Sequence, residues 1–344
     1  MKVAIIGATG YSGIELIRLL QNHPYVEIEM IISGSHDGSR ISEVYPHLEE
    51  IIDDKLVALD IEQLEKVDLV FFATPSGVSK NTLPLLMDRG IKCIDLSGDF
   101  RLKSPGAYED WYGLEAAEQK YLDQAIYGLS EIYSKKISTA TYIANPGCYP
   151  TAVLLGLIPA LKSGIIDPGS IVIDGKSGVS GAGRKASLGT HYAEINENVK
   201  AYKLGRHQHI PEIEQTLGDV YGEKVNITFS THLIPMSRGI MCTMYADFQQ
   251  DVTTDEIIHL YKEYYQNSPF VRVRKSGIWP ATKEVAGSNY CDLGFLADHR
   301  TGKLSIVSVI DNVVKGAAGQ AIQNMNLMNG WKATTGLLMT PVYP

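Results

Sequence analysis

The sequence predicts an α/β protein in two parts, on three observations. Apolar runs in the first half, such as Lys2-Val3-Ala4-Ile5-Ile6 and Leu69-Val70-Phe71-Phe72-Ala73, are continuous, as in parallel strands buried on both faces. Each is followed by a turn of small residues and then by a helical period. In the second half the runs alternate, at Ile227 to Leu233, Gly239 to Phe248, Tyr290 to Ala297 and Lys303 to Val309, with hairpin-like turns such as His299-Arg300-Thr301-Gly302. The first part therefore reads as a Rossmann-type parallel sheet domain. The second reads as an α+β domain with a mostly antiparallel sheet.

At 344 residues the chain can bury two full cores. A formal net charge of -8 with no basic tract argues against nucleic-acid partners and against an anionic membrane surface. No apolar stretch is long enough to span a bilayer, and the N-terminus enters a strand with no signal segment, so a soluble cytoplasmic protein is expected. Cys93, Cys148, Cys242 and Cys291 are widely spaced, without a C-x-x-C pair or metal-ligand clustering, which suits a reducing compartment and predicts no metal. Any anionic substrate must be held by local Arg and Lys against the overall field.

Gly7-Ala8-Thr9-Gly10-Tyr11-Ser12-Gly13 follows the first strand and opens an amphipathic helix from Ile14 to about Asn22. In this spacing Gly7 allows the tight turn, Gly10 lets a pyrophosphate approach the backbone, and Gly13 lets helix and strand pack closely. With Thr9, Tyr11 and Ser12 in the same turn, a dinucleotide site is expected. The second strand, Ile28 to Ile32, ends in Ser33-Gly34-Ser35, with Arg40 soon after. An acid there would bind a ribose 2′-OH and repel a 2′-phosphate. Ser33, Ser35 and Arg40 suit the phosphate, so NADP(H) is predicted. Thr74 and Ser76 follow the strand at 69–73, and Ser97 follows Lys92 to Leu96. Strand C-termini of open α/β sheets hold ligands, which makes these three contact candidates. A helix is expected from Val78 to Arg89, and 102–133 reads as irregular with one helical piece.

Asn145-Pro146-Gly147-Cys148-Tyr149-Pro150-Thr151 stands between a short strand, Tyr142-Ile143-Ala144, and a helix through Leu161. Pro150 fits the first helical position, leaving Cys148 just ahead of a helix N-terminus. Unpaired N–H groups and the dipole there favour thiolate over thiol, so Cys148 is the candidate nucleophile. The same N–H groups can hold the oxyanion of an acyl adduct. A buried turn cysteine would be the structural alternative.

Ser170 to Lys176 reads as a strand, and Ser177-Gly178-Val179-Ser180-Gly181-Ala182-Gly183-Arg184-Lys185 as a loop around an anion or a nicotinamide. Thr253-x-x-Glu256 is a capping box for a helix to about Asn267. Gly205-Arg206-His207-Gln208-His209-Ile210-Pro211-Glu212-Ile213 places two histidines ahead of a helix whose first turn holds Pro211. Either histidine could serve as acid/base for a thiol, and Glu212 could orient an imidazole or bind substrate. His23, His36, His47 and His259 read as surface residues. Asp311 to Ala321 is helical and rich in small residues, a segment suited to returning to the first domain near the cofactor, with Asn312 a cofactor-binding candidate.

The Gly7–Gly13 turn, Asn145 to Thr151, Ser177 to Arg184, His207 to Ile213 and Asp311 to Gln320, in this order, resemble the N-acetyl-gamma-glutamyl-phosphate reductase family, within the aspartate-semialdehyde dehydrogenase-like superfamily. The resemblance runs essentially end to end. It implies a phosphorylating aldehyde dehydrogenase of arginine biosynthesis that reduces a small-molecule acyl phosphate with NADPH through a thioester on Cys148. It further implies His207 as the acid/base and Ser177, Gly178 and Asn312 beside the cofactor. Arg101, Asn145, Arg184, His209 and Glu212 would then hold the substrate, with Lys185 and Arg238 as further anion holders. The family's usual H-R-H is His207-Gln208-His209 here, with Arg206 outside the pair. Residues 1–147 and 312–344 would form the dinucleotide domain and 148–311 the catalytic and oligomerisation domain, in a homo-oligomer, dimer or tetramer. The alternatives are another phosphorylating semialdehyde dehydrogenase and a non-catalytic dinucleotide sensor.

Overall fold

The apolar runs of the first half pair into one parallel sheet. The structure is a computed structural model and describes residues 1–343. Its first seven strands are β1 (Lys2–Ile6), β2 (Glu27–Ile32), β3 (Leu56–Val57), β4 (Leu69–Phe72), β5 (Lys92–Asp95), β6 (Ile126–Tyr127) and β7 (Tyr142–Ala144). They lie in the order β3-β2-β1-β4-β5-β7-β6, with every neighbouring pair parallel. Because β2 and β4 flank β1, the chain changes direction across β1. The loops after β1 and β4 therefore open at the switch point of the sheet, where α/β folds bind ligands. All four residues of β4, and Val3 to Ile6 of β1, are buried, which is why these strands read as unbroken apolar runs.

Residues 102–133 depart from the irregular reading. They hold helices Pro105–Tyr112 and Gln119–Leu122, the strand β6 and the start of a third helix, Ser130–Ile137. The first of these carries full punctuation: Ser104 Oγ accepts from Ala107 N–H at 3.3 Å, Pro105 opens the helix, and Gly113 closes it at φ 66. His23 is a second correction. It is buried rather than on the surface, bonded through Nε2 to Asn326 Oδ1 at 2.9 Å and packed against Trp331, and burial lowers its pKa.

The second sheet comprises β8 (Val172–Ser177), β9 (Lys200–Tyr202), β10 (Thr228–Leu233), β11 (Ile240–Asp247), β12 (Val271–Val273), β13 (Cys291–Asp298) and β14 (Lys303–Ile310). Their order is β12-β13-β14-β11-β8-β10-β9. Only β8–β10 and β12–β13 pair parallel; the other four pairings are antiparallel. Alternation along β8, β10, β11 and β14 buries one face, including Ile173, Phe229, Met244 and Ile306, and leaves the other open.

Helix Cys148–Lys162 packs on β11 and β14, and helix Thr254–Tyr264 on β13. The expected capping box is present, with Thr253 and Glu256 bonded reciprocally. Every residue from Tyr149 to Leu161 is buried. Gly156 permits the approach to the sheet, since a Cβ there would strike Met244. Pro159 has no N–H, so the Leu155 carbonyl loses its helical donor, and Tyr265 Oη supplies one at 2.7 Å.

The described residues divide into two units, Met1–Pro146 with Ala317–Leu337, and Gly147–Gly316 with 338–343. The sequence reading gave all of 312–344 to the first unit. Two attachments explain the difference. The Asp311 carboxylate accepts from Gly287 N–H at 2.7 Å, and Val342 N–H donates to Ala286 O at 2.9 Å, so both segments belong to the second unit.

Candidate active site

In the second unit the chemistry gathers at the start of helix Cys148–Lys162. Gly147 is its N-cap and Cys148 its first residue, so Pro150 is the third helical residue and not the first. The shift costs nothing, because the N–H that proline lacks at the third position is also without an intrahelical acceptor. The first helical bond runs from Thr151 N–H to Gly147 O at 3.0 Å. No side chain of the helix's own sequence caps it. Instead Glu212, fully buried, accepts the Gly147 N–H on Oε1 at 2.8 Å. Cys148 is half-buried, whereas Cys93, Cys242 and Cys291 are buried.

Glu212 comes from helix Ile210–Tyr221, whose N-cap is His209 and whose second residue is Pro211. The two histidine rings lie 4.7 Å apart, both buried. Tyr149 meets each edge-on, at 5.6 Å from His207 and 6.1 Å from His209, while Tyr202 and Phe229 close around His207 at 5.6 Å each. Room for the Tyr149 ring depends on Gly175, where a Cβ would lie 2.6 Å from it. Burial, and secondarily the Lys203 charge, push the His207 pKa down to about 4. His207 Nδ1 accepts the His209 N–H at 3.1 Å, which assigns the proton of the neutral ring to Nε2. Burial likewise raises Tyr149 and takes Tyr202 up to about 12, so both stay phenolic.

The other expected residues of this unit divide into two groups. Asn312 Oδ1 accepts from Gly239 N–H at 2.7 Å and its Nδ2 donates to Ser180 Oγ at 2.9 Å, which joins the Ser177–Ser180 loop to the segment before the final helix. Ser177 Oγ donates to Gly178 O at 3.0 Å. Arg184, Lys185 and Arg206 are exposed, and Arg238 lies 3.6 Å from Asp311.

In the first unit the glycine turn has the geometry its spacing predicts. Gly7 has φ +85 and runs against Ala73, and Gly13 runs against Gly7 and Ala8, so neither position has room for a side chain. Gly10 differs: a Cβ there would make only an ordinary 3.4 Å contact with Gly7 O. Packing within the protein does not itself demand that glycine. Helix Tyr11–Leu20 begins at Gly10 without a side-chain cap, so the N–H groups of Tyr11, Ser12 and Gly13 have no acceptor from a capping side chain. Thr9 Oγ1 lies 3.1 Å from Ser33 Oγ, itself 3.5 Å from Ser35 Oγ. Thr74 Oγ1 is buried with no partner among the described residues, a donor open to a ligand after β4. These residues fit a dinucleotide. Arg40 is paired with Asp53, so a phosphate there would share its guanidinium.

Two residues expected to hold substrate are engaged within the first unit. Arg101 donates to Asn145 O and Leu96 O, each at 2.8 Å. Asn145 donates to Ala317 O at 3.2 Å and accepts from Asn324 at 3.0 Å. Asp99 escaped the sequence reading, although it organises the loop after β4: its carboxylate accepts from Gly77 N–H, Lys80 N–H, Ser79 and Tyr108. Its signal was the Ser97-x-Asp99 spacing after a strand. Tyr149 and Tyr202 were also missed, since nothing in the sequence marks which tyrosines surround a histidine.

Two family descriptions match along the chain: "Semialdehyde dehydrogenase, NAD binding domain" over residues 2–140 and "Semialdehyde dehydrogenase, dimerisation domain" over 148–312. A Geobacillus kaustophilus protein named N-acetyl-gamma-glutamyl-phosphate reductase is 58% identical over 344 residues, covering 100% of both chains. The chain belongs to the N-acetyl-gamma-glutamyl-phosphate reductase family. The Bacillus subtilis protein of that name is 52% identical over 345 residues, again covering 100% of each. Aspartate semialdehyde dehydrogenase II of Vibrio cholerae shares the reductase's fold at a TM-score of 0.73 and 17% identity, covering 96% of this chain and 98% of its own. The Candida albicans aspartate semialdehyde dehydrogenase, solved with NADP, gives 0.72 and 14%, covering 97% and 99%. No helix among the described residues is long and apolar enough to cross a membrane.

Charge burial in this reductase acts in opposite directions in the two units. Burial, then the Asp99 charge, push the Asp95 pKa up to about 7. Between its unfolded value of 3.8 and about 7 the native chain holds a proton that the unfolded chain has lost, so this contribution to stability declines as pH rises. His207 has the reverse sign: between 6.5 and about 4 the unfolded chain binds a proton that the native ring refuses, so stability is lost as pH falls. The full shift corresponds to about 3 kcal/mol. Urea unfolding of His207→Asn, followed from pH 7 to pH 4, should show a flatter loss of stability than the parent; equal slopes would mean that the native ring protonates normally.

Proposed function

We infer that the chain reduces N-acetyl-L-glutamyl 5-phosphate to N-acetyl-L-glutamate 5-semialdehyde and phosphate, with NADPH as reductant and Cys148 as nucleophile. One observation carries the assignment. Of the four cysteines only Cys148 is not buried, and it opens a helix whose N-cap N–H is already taken by Glu212. The positive end of the helix dipole then faces the oxygen of an acyl group on the sulfur.

The thiolate, favoured at a helix N-terminus, attacks the acyl carbon. A C–S bond forms, the C–O bond to phosphate breaks, and phosphate leaves with the electron pair, giving a thioester on Cys148. NADPH, when bound to the Gly7–Gly13 turn and the Ser33, Thr74 and Ser76 loops, supplies a hydride. The oxyanion that results on the acyl carbon collapses, the aldehyde departs, and the Cys148 thiolate is regenerated. His207 is neutral throughout the physiological range and carries its proton on Nε2. It therefore acts as a hydrogen-bond donor that polarises the acyl oxygen, as a neutral imidazole does in other carbonyl chemistry. Glu212 contributes by holding Gly147, and thereby the turn that presents the sulfur.

The same reading places the dimer contact on the open face of the second sheet. Leu296, Ser305, Tyr245 and Val172 stand directly opposite one another across β13, β14, β11 and β8, so they share a face. Three of the four are exposed apolar side chains. Such a row, in a region matched by a dimerisation domain, supports a second copy as its occupant.

Two experiments test these assignments. Cys148→Ser should bind NADPH as tightly as the parent and show no phosphate-dependent NADP reduction with N-acetylglutamate 5-semialdehyde; full activity would remove Cys148 from the mechanism. In the parent protein, turnover of aspartate semialdehyde or glyceraldehyde 3-phosphate instead would reassign the substrate. Tyr245→Arg combined with Leu296→Arg should sediment as a monomer, and an unchanged mass would move the interface elsewhere.

A further inference from the structure

The segment that follows β14 turns sharply before the final helix. It forms a π-helical turn, Val314–Ala318, in which Gly316 N–H reaches back five residues to Asp311 O at 3.0 Å. Single π turns widen a helix locally and displace the residues they contain. The start of this one is fixed, because the buried Asp311 carboxylate also accepts from Val313 N–H at 2.9 Å and Val314 N–H at 3.2 Å. What the widened turn brings forward is the bare backbone of Gly316, and it is set against Cys148. A Cβ on Gly316 would stand 2.8 Å from Cys148 Cβ, 3.1 Å from Cys148 Cα and 3.2 Å from Ile310 Cδ1.

Backbone conformation does not require glycine here. Gly316 is not among the glycines of positive φ, and in a helix alanine is ordinarily favoured over glycine. The only demand for glycine is steric, and the closest atoms are the Cβ and Cα of the nucleophile. Neither can swing aside like the end of a long side chain, so an added methyl must move Cys148 itself or the turn.

We propose that Gly316 is a positioning residue for the reaction: its missing side chain sets where Cys148, and hence its sulfur, stands at the start of the helix. This rests on Cys148 being the nucleophile, and it concerns geometry that can be read without turnover. Displacements of around 1 Å at a reacting group can cost about a hundredfold in rate.

The test compares Gly316→Ala, Ile310→Val and the double variant. Gly316→Ala should stay folded, with an unfolding temperature somewhat below the parent's because the added methyl overpacks against Cys148. Its kcat should fall about 10- to 100-fold with KM for the acyl phosphate little changed, and the rate and pH midpoint of Cys148 alkylation by iodoacetamide should shift. Removing Ile310 Cδ1 gives the turn room to retreat, so the double variant should recover part of both the kcat and the alkylation rate. Parent-like kcat and alkylation in Gly316→Ala would overturn the proposal. So would a loss of activity that follows a loss of folded protein and is not relieved by Ile310→Val. The alkylation readout keeps the outcome separate from the identity of the reaction, because it reports the place of the sulfur whether or not that sulfur is the nucleophile.

Discussion

Helix Cys148–Lys162 is the constraint on which the second unit depends. It is apolar around its whole circumference and buried from Tyr149 to Leu161. Such a helix has no solvent side that could rotate inward, and close packing on the sheet fixes its register. Gly156 sets its distance from Met244, Gly175 admits the Tyr149 ring, and Tyr265 accounts for the carbonyl left by Pro159. Once the buried length is fixed in this way, its first residue is fixed as well. Cys148 is that residue, half-buried between the buried Gly147 and Tyr149.

The polar groups around it serve that placement. Glu212 is a fully buried side chain that accepts the Gly147 N–H on one oxygen, and leaving a buried polar group without its partner costs more than the bond contributes. The cap and the histidine pair are therefore parts of one device: Glu212 and His209 sit at the start of the same helix, and His209 N–H sets the tautomer of His207. Burial keeps His207 uncharged, so in the proposed reaction an oxyanion would meet neutral donors and the helix dipole rather than a full positive charge from that ring.

Much of this was legible in the sequence where the signal was local. Continuous runs gave the buried parallel strands, alternation gave the second sheet, and Thr253 with Glu256 gave a capping box. The strand–turn–helix geometry of the glycine turn and of the Cys148 turn could be read because each lies within a few consecutive residues. Two-residue strands such as β3 and β6 could not, since pairing with a neighbour is all that defines them. The helix at Pro105–Tyr112 was hidden by its Tyr and Trp content, although Ser104, Pro105 and Gly113 marked its ends. His23 looked like a surface residue because its partners, Asn326 and Trp331, lie at the other end of the chain. The same holds for two contacts around Cys148, Glu212 on Gly147 and Gly316 on Cys148. No periodicity reports on either.

The central claim is that one sulfur, presented at the start of a buried helix, carries the acyl group. Its most direct test is the mass of the Cys148 peptide after the protein is mixed with N-acetylglutamyl 5-phosphate in the absence of NADPH and quenched in acid. The account predicts an N-acetylglutamyl adduct on Cys148 that disappears when NADPH is added. An unmodified Cys148 peptide, or an acyl group found on another residue and discharged by NADPH, would contradict it.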